Sequence, residues 1–169
     1  MGVTAKVIHS VLGVNLARVD TFSTVDPIYT REFVPGQRVE GGDNAIYVYG
    51  IAGGAITDGQ VAYFDASFTA TALTTTNGAN KRGFQCGIAL GAMSTGQGGW
   101  FQISGKCSVL CAAAVAVGTQ LNTTATAGAV DDDATTGARV IEGLTLTTAA
   151  SGAGAATGYA SGLRIGATL

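Results

Sequence analysis

The sequence predicts an all-β protein: a β-sandwich or barrel, jelly-roll-like, with an extended amino-terminal arm. Glycine accounts for 26 of the 169 residues, well above the usual share of about 7%, and threonine is abundant. Glycine supplies positive φ for tight turns, and threonine suits a pleated surface. Turn signals recur at short, even intervals, and beyond the amino terminus no segment has a helical apolar period.

Composition limits the classes of function. Charged residues are only 12% of the chain and the net charge is −2, so a nucleic-acid partner is not expected. No apolar run approaches the length of about 20 residues that spans a bilayer, and no clean signal peptide is present. We therefore expect a protein made in, and used from, a cytoplasm. A surface with so few charges suits a protein covered by copies of itself or by partners.

Residues 1–44 differ in texture from the rest and are interpreted as an amino-terminal arm and first edge segment. The apolar residues at the start fit a short helix and a strand equally. Pro27 and Pro35 then each remove a backbone donor and favour an extended chain. An arm that wraps a neighbour and a simple edge strand of the same domain both remain open.

Residues 45–169 are predicted to form the β domain. AIYVYGIA carries apolar residues on both faces, which indicates a strand covered on both sides. Strands are also predicted in QVAYF, after a Thr-Asp-Gly turn, in GFQCGIALGAM, and in GWFQISGKCSVLC after the turn cluster STGQGG. Short strands and turns follow, and the chain closes with a flexible Gly/Ala loop and a final strand, GLRI.

The three cysteines, Cys86, Cys107 and Cys111, are predicted to be buried free thiols. An odd number argues against a closed disulfide framework. Cys107 and Cys111, four apart, would face the same side of a strand. A Cys3His zinc site would need His9, the single histidine, and the spacing matches no recognised zinc pattern.

Other candidate sites have ordinary structural explanations. The run Asp131–Asp133 offers oxygen ligands for calcium, but it lacks EF-hand spacing and equally suits a solvated hairpin tip. GAGAATG lacks the ending of a phosphate-binding loop. Six aromatic residues fit either a sugar-binding platform or the core: Tyr47, Tyr49, Tyr63, Phe64, Trp100 and Phe101. No catalytic, cofactor or metal residue is assigned, and we expect no enzyme activity.

Four stretches carry a family resemblance. NLARVD at 15–20 and EFVPGQRVEGGDNAIYVYGIAGGAI at 32–56 resemble the opening of small structural proteins encoded beside tailed-phage major capsid genes. GIALGAMSTGQGGWFQISGKC at 87–107 and VAVGTQLNTTATAGAVDDD at 115–133 are similar to phage capsid decoration (cement) proteins. In those proteins a GxA strand leads to a GWxQxxG strand and then to an xAxxxGTxL strand. The stretches cover about half the chain.

The resemblance implies a virion structural protein that binds the capsid exterior, contacts the major capsid protein and itself as a homodimer or homotrimer, and bridges capsomers. It implies no catalytic centre and no cofactor. The Asp131–Asp133 run and the cysteines depart from the pattern, which leaves a different virion position open. The alternative is a phage fibre or surface adhesin domain that binds glycans; a small hydrolase is a third hypothesis.

The partner contact is expected to lie partly in the arm. Its large apolar residues have little packing surface of their own, so we expect them to contact a neighbouring protein: Phe22, Ile28, Tyr29 and Phe33.

Overall fold

The computed structural model describes residues 14–21 and 33–169, and within them every regular element is a β-strand. No helix in this part of the chain is long and apolar enough to cross a membrane. The strands, in chain order, are β1 (Arg38–Glu40), β2 (Ile46–Ala52), β3 (Val61–Phe64), β4 (Thr69–Ala72), β5 (Cys86–Ala89), β6 (Gly98–Cys111), β7 (Ala114–Val115), β8 (Asn122–Thr123), β9 (Val130–Asp131), β10 (Arg139–Leu146), β11 (Ala150–Ser151) and β12 (Gly154–Thr168).

Ten strands form one sheet that closes on itself twice. The first ring runs β2-β4-β3-β5-β6 and returns to β2; the second runs β6-β12-β10-β8-β9 and returns to β6. Each ring contains one parallel pairing, β2 with β4 and β6 with β9, and is otherwise antiparallel. Closure leaves few free strand edges. The all-β barrel prediction is confirmed, in the form of two rings that share β6, whereas the jelly-roll detail is not.

The shared strand β6 divides its length between the rings. Its first half pairs with β2, from Ile51 opposite Gly98 to Ile46 opposite Ser104. Its second half pairs with β12, from Ser161 opposite Ser104 to Gly154 opposite Cys111. Ser104 is thus paired on both sides, at the junction of the two rings. Gly105 follows with φ +94°, and a Cβ there would lie 2.7 Å from the Cα of Ala45, so the backbones approach too closely for a side chain.

Strand β2 is buried on both faces, as its apolar sequence predicts. Val48 packs inside the first ring with residues such as Phe64 and Phe101. Tyr47 and Tyr49 point to the opposite side, into a separate cluster outside the ring. That outer cluster needs a cover, and the described residues of the 1–44 segment supply part of it.

The carboxyl-terminal region corrects one expectation. The residues predicted to form a flexible Gly/Ala loop belong to β12, a continuous strand of 15 residues. Ala156 and Ala160 are buried, and a Cβ on Gly158 would lie 2.7 Å from the carbonyl oxygen of Thr145. The small residues are present because β12 is squeezed between β6 and β10. The Gly/Ala-rich composition of this segment, taken alone, is that of a loop.

The β1–β2 hairpin carries two non-glycine residues in the left-handed region. Asp43 has φ 57° and Asn44 has φ 58°, and the Ala45 N–H donates to the Gly42 carbonyl at 3.1 Å. Two consecutive left-handed residues match a type I′ turn, whose twist suits an antiparallel hairpin. Asp and Asn tolerate that conformation better than other side chains do.

Candidate partner-binding surface

Residues 14–21 are fastened to the first ring at Asp20. Its backbone exchanges two hydrogen bonds with Gly98: Asp20 N to the Gly98 carbonyl at 2.8 Å, and Gly98 N to the Asp20 carbonyl at 2.9 Å. Its carboxylate is 8% exposed. Oδ1 accepts from Nε of Arg18 at 2.8 Å, and Oδ2 accepts from the Tyr49 hydroxyl at 2.6 Å. The buried charge is thus paired and hydrogen-bonded, as a buried carboxylate requires.

Phe33 lies on the same outer face of the first ring. Its ring centroid is 5.5 Å from that of Tyr49 and 5.0 Å from that of Trp100, and those two are 5.3 Å apart. Tilted and edge-on aromatic contacts at such distances add to ordinary burial. Only 8% of the surface of Phe33 is exposed, because its ring packs against residues of its own chain.

The other predicted contact residues, Phe22, Ile28 and Tyr29, lie outside the described residues, as does His9. Their contact with a partner stays a prediction. The described parts of the 1–44 segment end, on either side of residues 22–32, against one face of the first ring, at Asp20 and Phe33. Among the described strands β1 pairs only with β2, so Arg38–Glu40 lies at an edge of the sheet, while the division of the chain at residue 44 stays a prediction.

The aromatic residues considered for a sugar platform belong to the core. Five of them are at most 3% exposed, namely Tyr47, Tyr49, Phe64, Trp100 and Phe101. Tyr63 is partly buried and packs edge-on against Phe84, with 6.2 Å between ring centroids. The core interpretation of these residues is confirmed.

The cysteines are buried free thiols, as predicted. Cys107 and Cys111 share a face of β6 within the core of the second ring, and Cys86 lies in the same cluster. Burial raises the pKa of Cys86 to about 12 and that of Cys107 to about 12. Burial, and then the nearby Asp131 and Asp132 carboxylates, also raise the pKa of Cys111. Thiols with raised pKa values are poor nucleophiles and poor metal ligands at neutral pH.

In the acidic turn, Asp131–Asp133, the carboxylates lie close together and are held by hydrogen bonds. One carboxylate oxygen from each residue lies within 4.8 Å of the others. Asp131 Oδ1 accepts from the backbone N–H of Asp132 at 2.8 Å. Asp132 Oδ2 accepts from Ala116 N at 3.0 Å and from the Thr119 hydroxyl at 3.2 Å. The backbone bond from Ala116 is the main cause that lowers the pKa of Asp132.

These bonds hold the loop after β7 against the acidic turn. Val117, in that loop, is 55% exposed, among the most exposed large apolar side chains of the described residues. Asp133 is also exposed. A charged and an apolar group therefore project from the same end of the second ring.

A groove lies at the junction of the two rings, beside Ser104. Its volume is about 370 Å³. Side chains that line it come from five segments of the chain: Arg38, Ile46, Gln85, Ile103, Leu163 and Arg164.

The groove combines an apolar base with a cationic rim. Ile103 and Leu163 are 5% and 1% exposed, whereas Arg38 and Arg164 are exposed. Nη2 of Arg38 lies 3.4 Å from Oε1 of Gln85, a long hydrogen bond. Neither arginine forms an ion pair with a carboxylate of the described residues. Such a groove can accept a carboxylate together with an apolar group.

Sequence reasoning missed this groove. Arg38 and Arg164 stand far apart in the chain, in segments with no local motif. They come together because β1 pairs with β2, and because Gln85 forms a bridge to Arg164 across the junction. No local spacing encodes such an arrangement.

No family model matches the sequence, and no curated protein matches it. Among solved structures, one that is similar to this chain is described as the N base of head fiber gp8.5 in bacteriophage phi29. It is 14% identical, the alignment covers 71% of this chain and 97% of that one, and the TM-score is 0.48.

Proposed function

We propose that the protein is a phage virion structural protein that binds the outside of the capsid and stabilises it by bridging capsomers. Its partners are the major capsid protein and further copies of itself, as a dimer or trimer. Assembly takes place in the host cytoplasm. No catalytic step is part of this proposal.

The observation that carries the proposal is where the family-like stretches fall in the fold. The stretch at 32–56 forms the β1–β2 hairpin, and the stretch at 87–107 contains most of β5 and β6. The stretch at 115–133 contains β8 and β9, which close the second ring onto β6. The resemblance thus includes most of the shared strand β6 and the strands β2 and β9 that close the rings onto it, whereas β3, β4, β10 and β12 lie outside it.

The physical character of the chain supports the same role. Closed rings with short turns lose little conformational entropy on docking. A low charge density suits a surface that is largely covered by neighbours. Repetition over a shell makes each weak contact act together with its neighbours.

The most specific contact that we propose with the major capsid protein lies in the amino-terminal arm. Because Asp20 and Phe33 are fastened to the first ring, residues 22–32 have both flanks held at one face. Phe22, Ile28 and Tyr29 are the large apolar residues of that segment, and we propose that they pack on the major capsid protein.

The test is binding to capsids that lack this protein, assembled from the major capsid protein of the same phage. We expect saturable co-sedimentation and a higher temperature of capsid opening. Phe22→Ala/Ile28→Ala/Tyr29→Ala should reduce occupancy without lowering the stability of the free protein, whereas Phe33→Ala should destabilise the free protein. Absence of co-sedimentation overturns the proposal; binding to host polysaccharide instead would favour a fibre or adhesin.

A further inference from the structure

We propose that copies of this chain associate through one contact in which the acidic turn and Val117 of one copy enter the arginine groove of the next. The proposal gives an interface to the self-association included in the proposed function. It rests on the shape, charge and apolar character of two surfaces of the same chain.

The groove is built to receive a carboxylate beside an apolar group. Arg38 and Arg164 stand at its rim without a carboxylate partner among the described residues. Glu142 lies opposite Arg164 on the neighbouring strand β10, yet it forms no ion pair with it. Ile46, which is partly exposed, lines the groove above the buried Ile103 and Leu163 and gives it an apolar base. A guanidinium group binds a carboxylate through two parallel N–H donors, which fixes direction as well as strength.

The acidic turn has the complementary character. Three of the chain's eleven acidic residues stand there in sequence, with their carboxylates crowded together. Crowded like charges repel each other, and neighbouring cations relieve that repulsion. The exposed Val117 sits beside them, because Ala116 and Thr119 are bonded to Asp132. The negative carboxylates of the acidic turn are thus complementary to the positive arginine rim of the groove, and Val117 is complementary to its apolar base.

The two surfaces cannot meet within one chain. The groove lies beside Ser104 of β6, whereas the acidic turn follows Val130, which pairs with Cys111 at the far end of the same strand. Seven residues of extended strand separate these points by about 23 Å, at about 3.3 Å per residue. The shared strand β6 therefore holds the groove and the acidic turn apart within one chain. A contact between the two surfaces has to join two copies.

A contact between two different surfaces has a defined consequence for assembly. It generates a closed ring of copies if the rotation between neighbours closes, an open filament if it does not, or a two-fold pair in which the contact is made twice. Each form fails when either surface is altered. Each altered copy, however, keeps one intact surface.

The experiment mixes two variants, each of which keeps the surface that the other has lost. It uses the full chain and no capsids. Variant R38E/R164E loses the groove and keeps the acidic turn; variant V117D/D133K loses the turn and keeps the groove. Asp133 is chosen because Asp131 and Asp132 hold the turn together. Sedimentation equilibrium should show self-association of the wild type, weakened about tenfold or more in either variant. An equimolar mixture of the two should form a one-to-one dimer that grows no further.

The control is Asp58→Lys, a charge reversal on an exposed turn residue that belongs neither to the lining of the groove nor to the acidic turn, which should associate as the wild type does. Circular dichroism and thermal unfolding midpoints must match the wild type before any variant is interpreted. A monomeric wild type, variants that associate normally, or a mixture that forms no dimer each overturn the inference. Capsid binding by a wild type that stays monomeric would overturn this contact and leave the capsid-binding part of the proposed function standing.

Discussion

The hydroxyl of Tyr49 donates a 2.6 Å hydrogen bond to the buried carboxylate of Asp20, across 29 residues of chain. It joins the outer face of β2 to the segment that covers it. The arrangement explains how a strand with apolar residues on both faces stays out of water: one face lies in the first ring, and the other lies under residues 14–21 and Phe33.

Replacement of Asp20 tests that fastening. Asp20→Ala removes the acceptor of the Tyr49 bond and the ion-pair partner of Arg18, so the free energy of unfolding should fall by about 1–3 kcal/mol. Guanidinium chloride denaturation measures the change. Asp58→Ala, at an exposed turn position, is the matched control and should change stability little. Equal stability of the two variants would show that the Asp20 side chain contributes nothing to the fastening.

Close packing of β12 predicts a difference between two glycines. Gly158→Ala places a Cβ 2.7 Å from the Thr145 carbonyl oxygen, whereas a Cβ on Gly152 meets nothing within 4 Å. We expect Gly158→Ala to cost about 1–3 kcal/mol of unfolding free energy, with Gly152→Ala near neutral. Thermal unfolding of both variants checks this, and a stable Gly158→Ala variant would contradict the described register of β10 and β12.

The β1–β2 turn predicts a stabilising change. Asn44 holds φ 58°, which glycine adopts without steric strain. Asn44→Gly should leave stability unchanged or raise it by up to about 1 kcal/mol, and Asn44→Ala should lower it, since alanine tolerates that conformation poorly. Chemical denaturation of the pair gives the sign. Greater stability of the alanine variant would exclude the type I′ turn.

The buried thiols predict low reactivity in the folded state. With the pKa of Cys86 and of Cys107 raised to about 12, neither thiol forms much thiolate at pH 8. A chromogenic disulfide reagent should react slowly with the native protein and with three thiols per chain in denaturant. Rapid labelling of a thiol in the native protein would contradict its burial.

The same thiols predict a loss of stability in alkali. Above the ordinary value of 9.0 the unfolded chain releases thiol protons, while folded Cys86 keeps its proton up to about 12. The folded state then binds more protons than the unfolded state, so the free energy of unfolding falls as pH rises through that window. Denaturation at pH 8 and pH 10 measures the slope, and Cys86→Ala should make it shallower.

Local patterns predicted local features well. The two apolar faces of β2 were readable because strand side chains alternate, and the shared face of Cys107 and Cys111 follows from the same period of two. The final strand was predicted too short. Small residues lower the local strand signal, yet at Gly158 and Ala160 they are required by neighbouring backbone, which is not adjacent in sequence.

By itself, the sequence determined that the chain is all-β, that its thiols are buried, and that Tyr47, Tyr49, Phe64, Trp100 and Phe101 pack in a core, because composition and side-chain alternation act over a few residues. Tertiary structure alone decided that the sheet closes twice around one strand, that Asp20 fastens the amino-terminal segment, and that Arg38 and Arg164 share a groove. Those features depend on pairings between distant segments, and strand partners are chosen by the packing of the whole domain.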